Sequence, residues 1–135
     1  MTELGVLRRK EFLQPGELKG IFVPAVTPFK KLRGQIIVDL SSHSKQIKRL
    51  ADPLSGVSGI FLGSNAGQVR DMTMNNLRYS IIVGIEAARS VNKDLPIVVG
   101  AIRKDITEVL AVAKFAEENG ADAIVLAPGY TEGGI

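Results

Sequence analysis

The stretch PIVVGAIRKDITEVLAVAKFAEENGADAIVLAP, residues 96–128, decides the fold. It opens on an Ile-Val-Val run and closes on an Ile-Val-Leu run, neither of which alternates with polar residues. Such runs read as strands covered on both faces. Between them Ile106, Val109, Leu110, Ala113 and Ala116 recur at helical spacing. Asp105-Ile-Thr-Glu108 is a capping-box-like start, and Gly120 can supply the left-handed residue that ends a helix. Strand, helix and strand in so short a span predict a parallel β-α-β unit.

The same alternation extends back toward the N-terminus. Residues 20–26 and 59–62 are further apolar runs bounded by Gly or Pro. One intervening helix is expected to bury Leu40, Ile47, Leu50 and Ala51, with Asp39 as its cap. The next starts at a Thr73 cap and aligns Leu77, Ile81, Ile85 and Ala88. From Gly20 the chain therefore reads β-α-β-α-β-α-β, an α/β protein with four parallel strands. Residues 1–19 read as an N-terminal extension or short first helix, set off by Pro15-Gly16, and residues 20–135 as one unit. Periodicity leaves two architectures open, a doubly wound sheet and a (β/α)8 barrel. A barrel takes eight strands and about 250 residues, so on that reading this chain is the N-terminal half of one.

Composition narrows the chemistry. With 135 residues, 45% of them hydrophobic, and no cysteine, the chain can build a core without disulfides or a structural zinc. A single histidine, His43, leaves no cluster with metal-ligand spacing and no Cys-His nucleophile pair. His43 lies between Ser42 and Ser44 and is expected to be an exposed helix residue. The 17 basic and 14 acidic residues give a net charge of +3, in scattered groups such as Arg8, Arg9, Lys10 and Lys30, Lys31, Arg33. That pattern, with few aromatics, argues against nucleic acid and suits a small anionic ligand better. The apolar runs are far short of a membrane span, and nothing resembles a signal peptide, so the expected setting is cytoplasmic.

In either architecture function gathers at the C-terminal ends of the strands. Those ends are Thr27-Pro28-Phe29, the GSNAGQ loop at 63–68, Ala101-Ile102-Arg103-Lys104 and Pro128-Gly129-Tyr130. Two glycines bracketing small residues can expose backbone amides to a carboxylate or phosphate, with Ser64 and Asn65 as further donors. The same glycines would equally serve a tight loop. Neither dinucleotide nor P-loop spacing is present. Tyr130 is either a phenol acid/base or an apolar wedge with its hydroxyl in water. Arg103 and Lys104 could face an anion or simply form a solvated loop.

Taken in order, these segments resemble the dihydrodipicolinate synthase/N-acetylneuraminate lyase family of pyruvate-dependent class I aldolases, over about residues 18–130. Gly20-Ile-Phe-Val-Pro-Ala-Val-Thr-Pro-Phe29 is similar to the family's first strand. The GSNAGQ loop is similar to its Gly-Thr-Thr-Gly-Glu motif, and Met72-Thr73 to the Leu-Thr that follows. Pro96 to Gly100 is similar to the third strand, and Gly120 to Tyr130 to the fourth. The resemblance implies a (β/α)8 barrel, a homo-oligomer, no cofactor, and a lyase whose lysine on the sixth strand forms a Schiff base with pyruvate or another 2-oxo acid. It places Ser64, Asn65, Ala66 and Gly67 at the substrate carboxylate and Tyr130 in a proton relay.

The departures are specific. Ala66 has no hydroxyl for the relay of the second threonine, although its amide and that of Gly67 could still hold a carboxylate. Gln68 replaces the glutamate, Gly129 replaces the first tyrosine of Pro-Tyr-Tyr, and Asn75-Asn76 stand where acidic residues are usual. These point to a less typical branch, such as a sugar-acid or hydroxy-oxoglutarate aldolase. No lysine occupies the place of the imine-forming one before Ile135. The expectation is a chain truncated before its catalytic lysine and inactive alone. Two alternatives remain from the sequence: a self-contained anion-binding α/β domain, and a non-catalytic half-barrel that dimerises through its open edges.

Overall fold

The computed structural model describes residues 16–127. Most of the expected N-terminal extension, and Pro128, Gly129 and Tyr130, lie outside the described residues. In chain order the elements are β1 (Phe22–Pro24), β2 (Phe29–Leu32), β3 (Gln35–Val38), α1 (Leu40–Ala51), β4 (Gly59–Leu62), α2 (Met74–Val91), β5 (Ile97–Ala101), α3 (Ile106–Glu118) and β6 (Ala123–Leu126). Short 3-10 turns at Pro53–Ser55 and Val69–Asp71 complete them.

The four expected strands form one parallel sheet in the order β1-β4-β5-β6. Each strand pairs with the next one expected, with no reversal of direction through the sheet. A doubly wound fold needs such a reversal to place helices on both faces. Right-handed crossovers between successive neighbours instead put every helix on the same side, which is how a (β/α)8 barrel is wound. The strand order thus decides for part of a barrel what periodicity leaves open.

The helix caps follow the sequence closely. Asp39 accepts from the Ser42 amide at 3.2 Å and from its hydroxyl at 2.9 Å. Those bonds, the amide's first, hold the Asp39 carboxyl below its ordinary pKa. Thr73 accepts from the Asn76 amide, and Asp105 from the Thr107 amide. The Leu77, Ile81, Ile85 and Ala88 stripe is fully buried, as are Ile47 and Ala51 on α1.

Three expectations need correction. The first strand is only Phe22–Pro24, shorter than residues 20–26, because Val26 to Pro28 leave the sheet toward an antiparallel hairpin that the sequence reading does not include. β2 and β3 make it, joined at Arg33 and Gly34, both with positive φ (52° and 79°). That is the signature of a two-residue primed turn, and arginine in place of the usual Asn or Asp hides it. On α3 the buried side is set by Val112 and Ala116, whereas Ile106 and Leu110 are exposed. The helix meets the sheet through the Val109, Val112 and Ala116 arc, and the expected stripe is rotated off it.

His43 is the third. It is 2% exposed, not a surface residue. Serine neighbours are a poor guide on a helix; the relevant ones are Ile47 and Ala51, four and eight residues on, which share its buried face. Its Nε2 lies 2.9 Å from the Ser80 carbonyl, so that nitrogen carries the proton and donates. Nδ1 is buried with no partner among the described residues. Burial is the main cause of a pKa below the ordinary histidine value, only partly offset by the Ser80 bond.

The sign of the pH effect follows from that depression. Below the unfolded-state pKa of about 6.5 the unfolded chain takes up a proton that the folded chain refuses, so stability is full above that pH and falls as pH drops toward the folded-state value. With one histidine in the chain, urea denaturation between pH 7 and pH 5 is expected to show this loss, and His43→Gln to flatten it. An unchanged slope in the variant would mean that His43 is not the titrating group.

Candidate functional site

The parallel strands bring three of the four expected loops together at their C-terminal ends. The GSNAGQ loop leaves β4 at Gly63, whose φ is 69°, and turns back through Gln68 at φ 59°. Ser64 shapes it from inside. It is buried, its carbonyl accepts from the Gly67 and Val69 amides at 3.0 and 3.3 Å, and its hydroxyl oxygen accepts from Gly67 at 3.1 Å. The Asn65 carbonyl accepts from Gln68 at 2.9 Å. The loop therefore closes on its own backbone.

That closure corrects one expected donor. The Gly67 amide is spent on Ser64, which removes it from the groups available to hold a carboxylate. Ser64 is a shaping residue at least as much as a ligand donor. The Asn65 and Ala66 amides make no backbone hydrogen bond among the described residues, and both residues are exposed. These two, with the Asn65 side chain, are the donors that the loop leaves open.

The loop is positioned from both sides. Gly67 packs against the end of β1 so closely that an added Cβ would lie 2.9 Å from the Ala25 carbonyl and 3.0 Å from the Thr27 hydroxyl. The end of β1 is itself tied down, since Ala25 donates to the Phe61 carbonyl and Gln46 of α1 donates to the Val26 carbonyl. On the other side Arg103, just beyond β5, sends Nη1 to the Val69 and Met72 carbonyls at 2.8 and 2.9 Å. Its Nε reaches Glu108 at 3.3 Å. Arg103 is thus neither solvated loop nor simple anion partner: it clamps the turn that follows GSNAGQ to the neighbouring strand. The sequence held a signal for this, an arginine directly after a buried strand, but not the carbonyls it meets. Lys104 is exposed beside it.

Tyr130, the expected proton relay, lies outside the described residues. No group of three or more His, Cys, Asp or Glu among the described residues could hold a metal ion. No helix of the described residues is long and apolar enough to cross a membrane.

No protein-family model matches the chain. Individual relatives do. Over 113 residues it is 29% identical to an uncharacterized DapA-like lyase of Thermococcus kodakarensis, covering 84% of this chain and 36% of that protein. Over 116 residues it is 28% identical to the 4-hydroxy-tetrahydrodipicolinate synthase of Campylobacter hominis, covering 85% and 36%. The chain thus spans little more than a third of the length of the curated relatives it matches. Among solved structures it superposes on a dihydrodipicolinate synthase family protein from Coccidioides immitis with a TM-score of 0.71 at 25% identity, covering 82% of this chain and 34% of that one. The dihydrodipicolinate synthase of Agrobacterium tumefaciens gives a TM-score of 0.70 at 28% identity, covering 85% and 36%. By sequence and by fold together, this chain is similar to DapA-like lyases and dihydrodipicolinate synthases, over a share of their length consistent with the N-terminal half of their barrel.

Proposed function

We propose that this chain supplies the carboxylate-binding face of a Schiff-base-forming aldolase or lyase acting on pyruvate or another 2-oxo acid. The observation that carries the reading is the GSNAGQ loop, closed on Ser64 and braced from β1 and Arg103, with the Asn65 and Ala66 amides left to donate. Two preorganised amides at a strand end can hold a carboxylate and so orient the adjacent keto carbon for attack. A lysine amine then condenses at that carbon with loss of water, and the protonated imine draws electrons from the neighbouring bond. None of the four parallel strands carries a lysine, in keeping with the resemblance, which puts the amine on a sixth strand. Ala66 has no hydroxyl, which leaves proton transfer to Tyr130 or to water. The edges of β1 and β6 have no strand partner among the described residues, in keeping with further strands or a homo-oligomer. A cytoplasmic setting belongs to the same reading.

The test has two parts. Pyruvate added to the 135-residue chain is expected to shift the Asn65 and Ala66 amide resonances saturably, with acetone producing no such shift. Pyruvate with borohydride is expected to add the mass of one reduced pyruvate to a polypeptide that includes the lysine-bearing strand, and none to this chain alone. Absence of both the shifts and the adduct, across several 2-oxo acids, would overturn the reading.

A further inference from the structure

Thr27, just past the end of β1, belongs to the strand-end face but has no part in the 2-oxo acid reading so far. Its backbone is pinned on both sides. The Val26 carbonyl accepts from the Gln46 side chain, and the Pro28 carbonyl accepts from the Asp39 amide at 2.8 Å. Two residues back, the Ala25 amide donates to the Phe61 carbonyl at 3.0 Å. Proline keeps the residue before it out of the helical region, and a β-branched side chain has few χ1 rotamers to choose from. The Thr27 hydroxyl therefore loses little freedom when it meets a ligand.

The GSNAGQ loop lies directly against that hydroxyl. Thr27 is half-buried, and its Oγ1 is 3.0 Å from where a Cβ on Gly67 would stand, at the residue next to the open Ala66 amide. The contact is packing and not a hydrogen bond, because the Gly67 amide is spent on Ser64. Among the described residues the Thr27 hydroxyl has no hydrogen-bond partner. The loop, for its part, has no free hydroxyl oxygen: Ala66 carries only a methyl, and that of Ser64 accepts from Gly67. The loop offers amides and the Asn65 side chain, and β1 sets an unspent hydroxyl beside them.

We infer that Thr27 is a further ligand-binding residue of this site, its hydroxyl donating from the β1 side to the carboxylate that the Asn65 and Ala66 amides hold. The inference rests on the 2-oxo acid reading and adds to it a residue outside the loop. An ionised carboxylate accepts at both oxygens, so two amides leave it room for an O–H donor, and hydrogen bonds to a charged acceptor are the strong ones. Gly67 keeps the approach open, since any side chain there would press on the Thr27 hydroxyl.

The experiment titrates the 135-residue chain and two variants with pyruvate, following the Asn65, Ala66 and Thr27 resonances. Thr27→Val keeps the β-branched shape that packs on Gly67 and removes the hydroxyl, whereas Thr27→Ser keeps the hydroxyl and removes the methyl. Thr27→Val is expected to weaken pyruvate binding about tenfold, the loss of one hydrogen bond to a charged group, and Thr27→Ser to stay within about twofold of wild type. A role in packing alone predicts the reverse order, so a valine variant that binds like wild type, or a serine variant that loses as much as valine, would overturn the inference. In the wild-type chain the Thr27 methyl and amide resonances are expected to shift with the same midpoint as Asn65 and Ala66. Thr27 resonances that stay still while those two move would overturn it without recourse to any variant. A wild-type chain in which none of the three responds to pyruvate or another 2-oxo acid fails the 2-oxo acid reading as well, whereas a response at Asn65 and Ala66 that ignores the Thr27 hydroxyl fails this inference alone.

Discussion

Asp122→Ala is expected to lower the stability of the chain by about 3–5 kcal/mol, enough to consume a large part of the about 5–15 kcal/mol that holds a domain folded. Asp122 opens β6 and its side chain is 5% exposed. One of its oxygens accepts from the Arg89 guanidinium at 2.9 Å and from the Ile97 amide at 2.8 Å, while its own amide donates to the Ile97 carbonyl. Arg89, reaching up from α2, also donates to the Gly120 carbonyl at 3.2 Å. A single carboxylate thus joins the starts of β5 and β6 to the helix behind them. Removing it takes the carboxylate from a buried guanidinium and the acceptor from the Ile97 amide together, and each loss carries its own desolvation cost. Replacing both partners, as in Arg89→Met with Asp122→Leu, is expected to recover part of the loss but not all, because the Ile97 amide and Gly120 carbonyl still lose their partners. Urea denaturation midpoints measure both variants. A single substitution costing under about 1 kcal/mol would show that the pair is not structural.

This pair lies at the N-terminal ends of the strands, opposite the loops, where a barrel concentrates stability rather than chemistry. Its residues illustrate what sequence can and cannot give. Asp122 beside an apolar run reads as the boundary of a strand, which it is, but nothing in its neighbourhood names Arg89, over thirty residues earlier. The caps at Asp39, Thr73 and Asp105 were legible because capping is decided within three residues. The central strands were legible because burial on both faces removes polar alternation, and β5 is buried at every position. His43 was misread for the opposite reason: its adjacent serines are local, while its environment is set one and two helical turns away and by Ser80 on the next helix.

The site divides along the same line. Glycine spacing locates the loop, and family resemblance suggests its ligand, but which amides remain available depends on Ser64 folding back onto Gly67. That is a property of the closed loop, and no residue type announces it. Arg103 could be seen as a charge at a strand end; its work as a clamp depends on two carbonyls, Val69 and Met72, brought there only by the packing of β4 beside β5.

Gly100→Ala is the substitution expected to damage the site most for the least chemical change. β4 and β5 run side by side, and where β4 ends the Gly63 carbonyl passes the Gly100 backbone so closely that a Cβ on Gly100 would lie 2.3 Å from the oxygen. The reciprocal contact is nearly as tight, with a Cβ on Gly63 at 3.1 Å from the Gly100 carbonyl, and Gly63 also holds a φ of 69° that a side chain resists. The two nearest atoms, the Gly63 carbonyl oxygen and carbon, are backbone, so movement of the Ile102 side chain, 3.2 Å away, cannot relieve the clash. Relief requires moving the end of β4, and GSNAGQ begins there. Overpacking of this kind costs about 1–3 kcal/mol, yet the larger effect falls on the loop: shifting Gly63 also shifts Ser64, whose bonds to Gly67 fix the Asn65 and Ala66 amides. Gly100→Ala is therefore expected to remain folded with a lowered denaturation midpoint, to move the Asn65 and Ala66 resonances, and to abolish their response to pyruvate. A variant of wild-type stability that still responds would show the approach of the two strands to be incidental. A folded variant that has lost only the pyruvate response would locate the carboxylate site in this loop, because Gly100 presses on it directly through the Gly63 backbone.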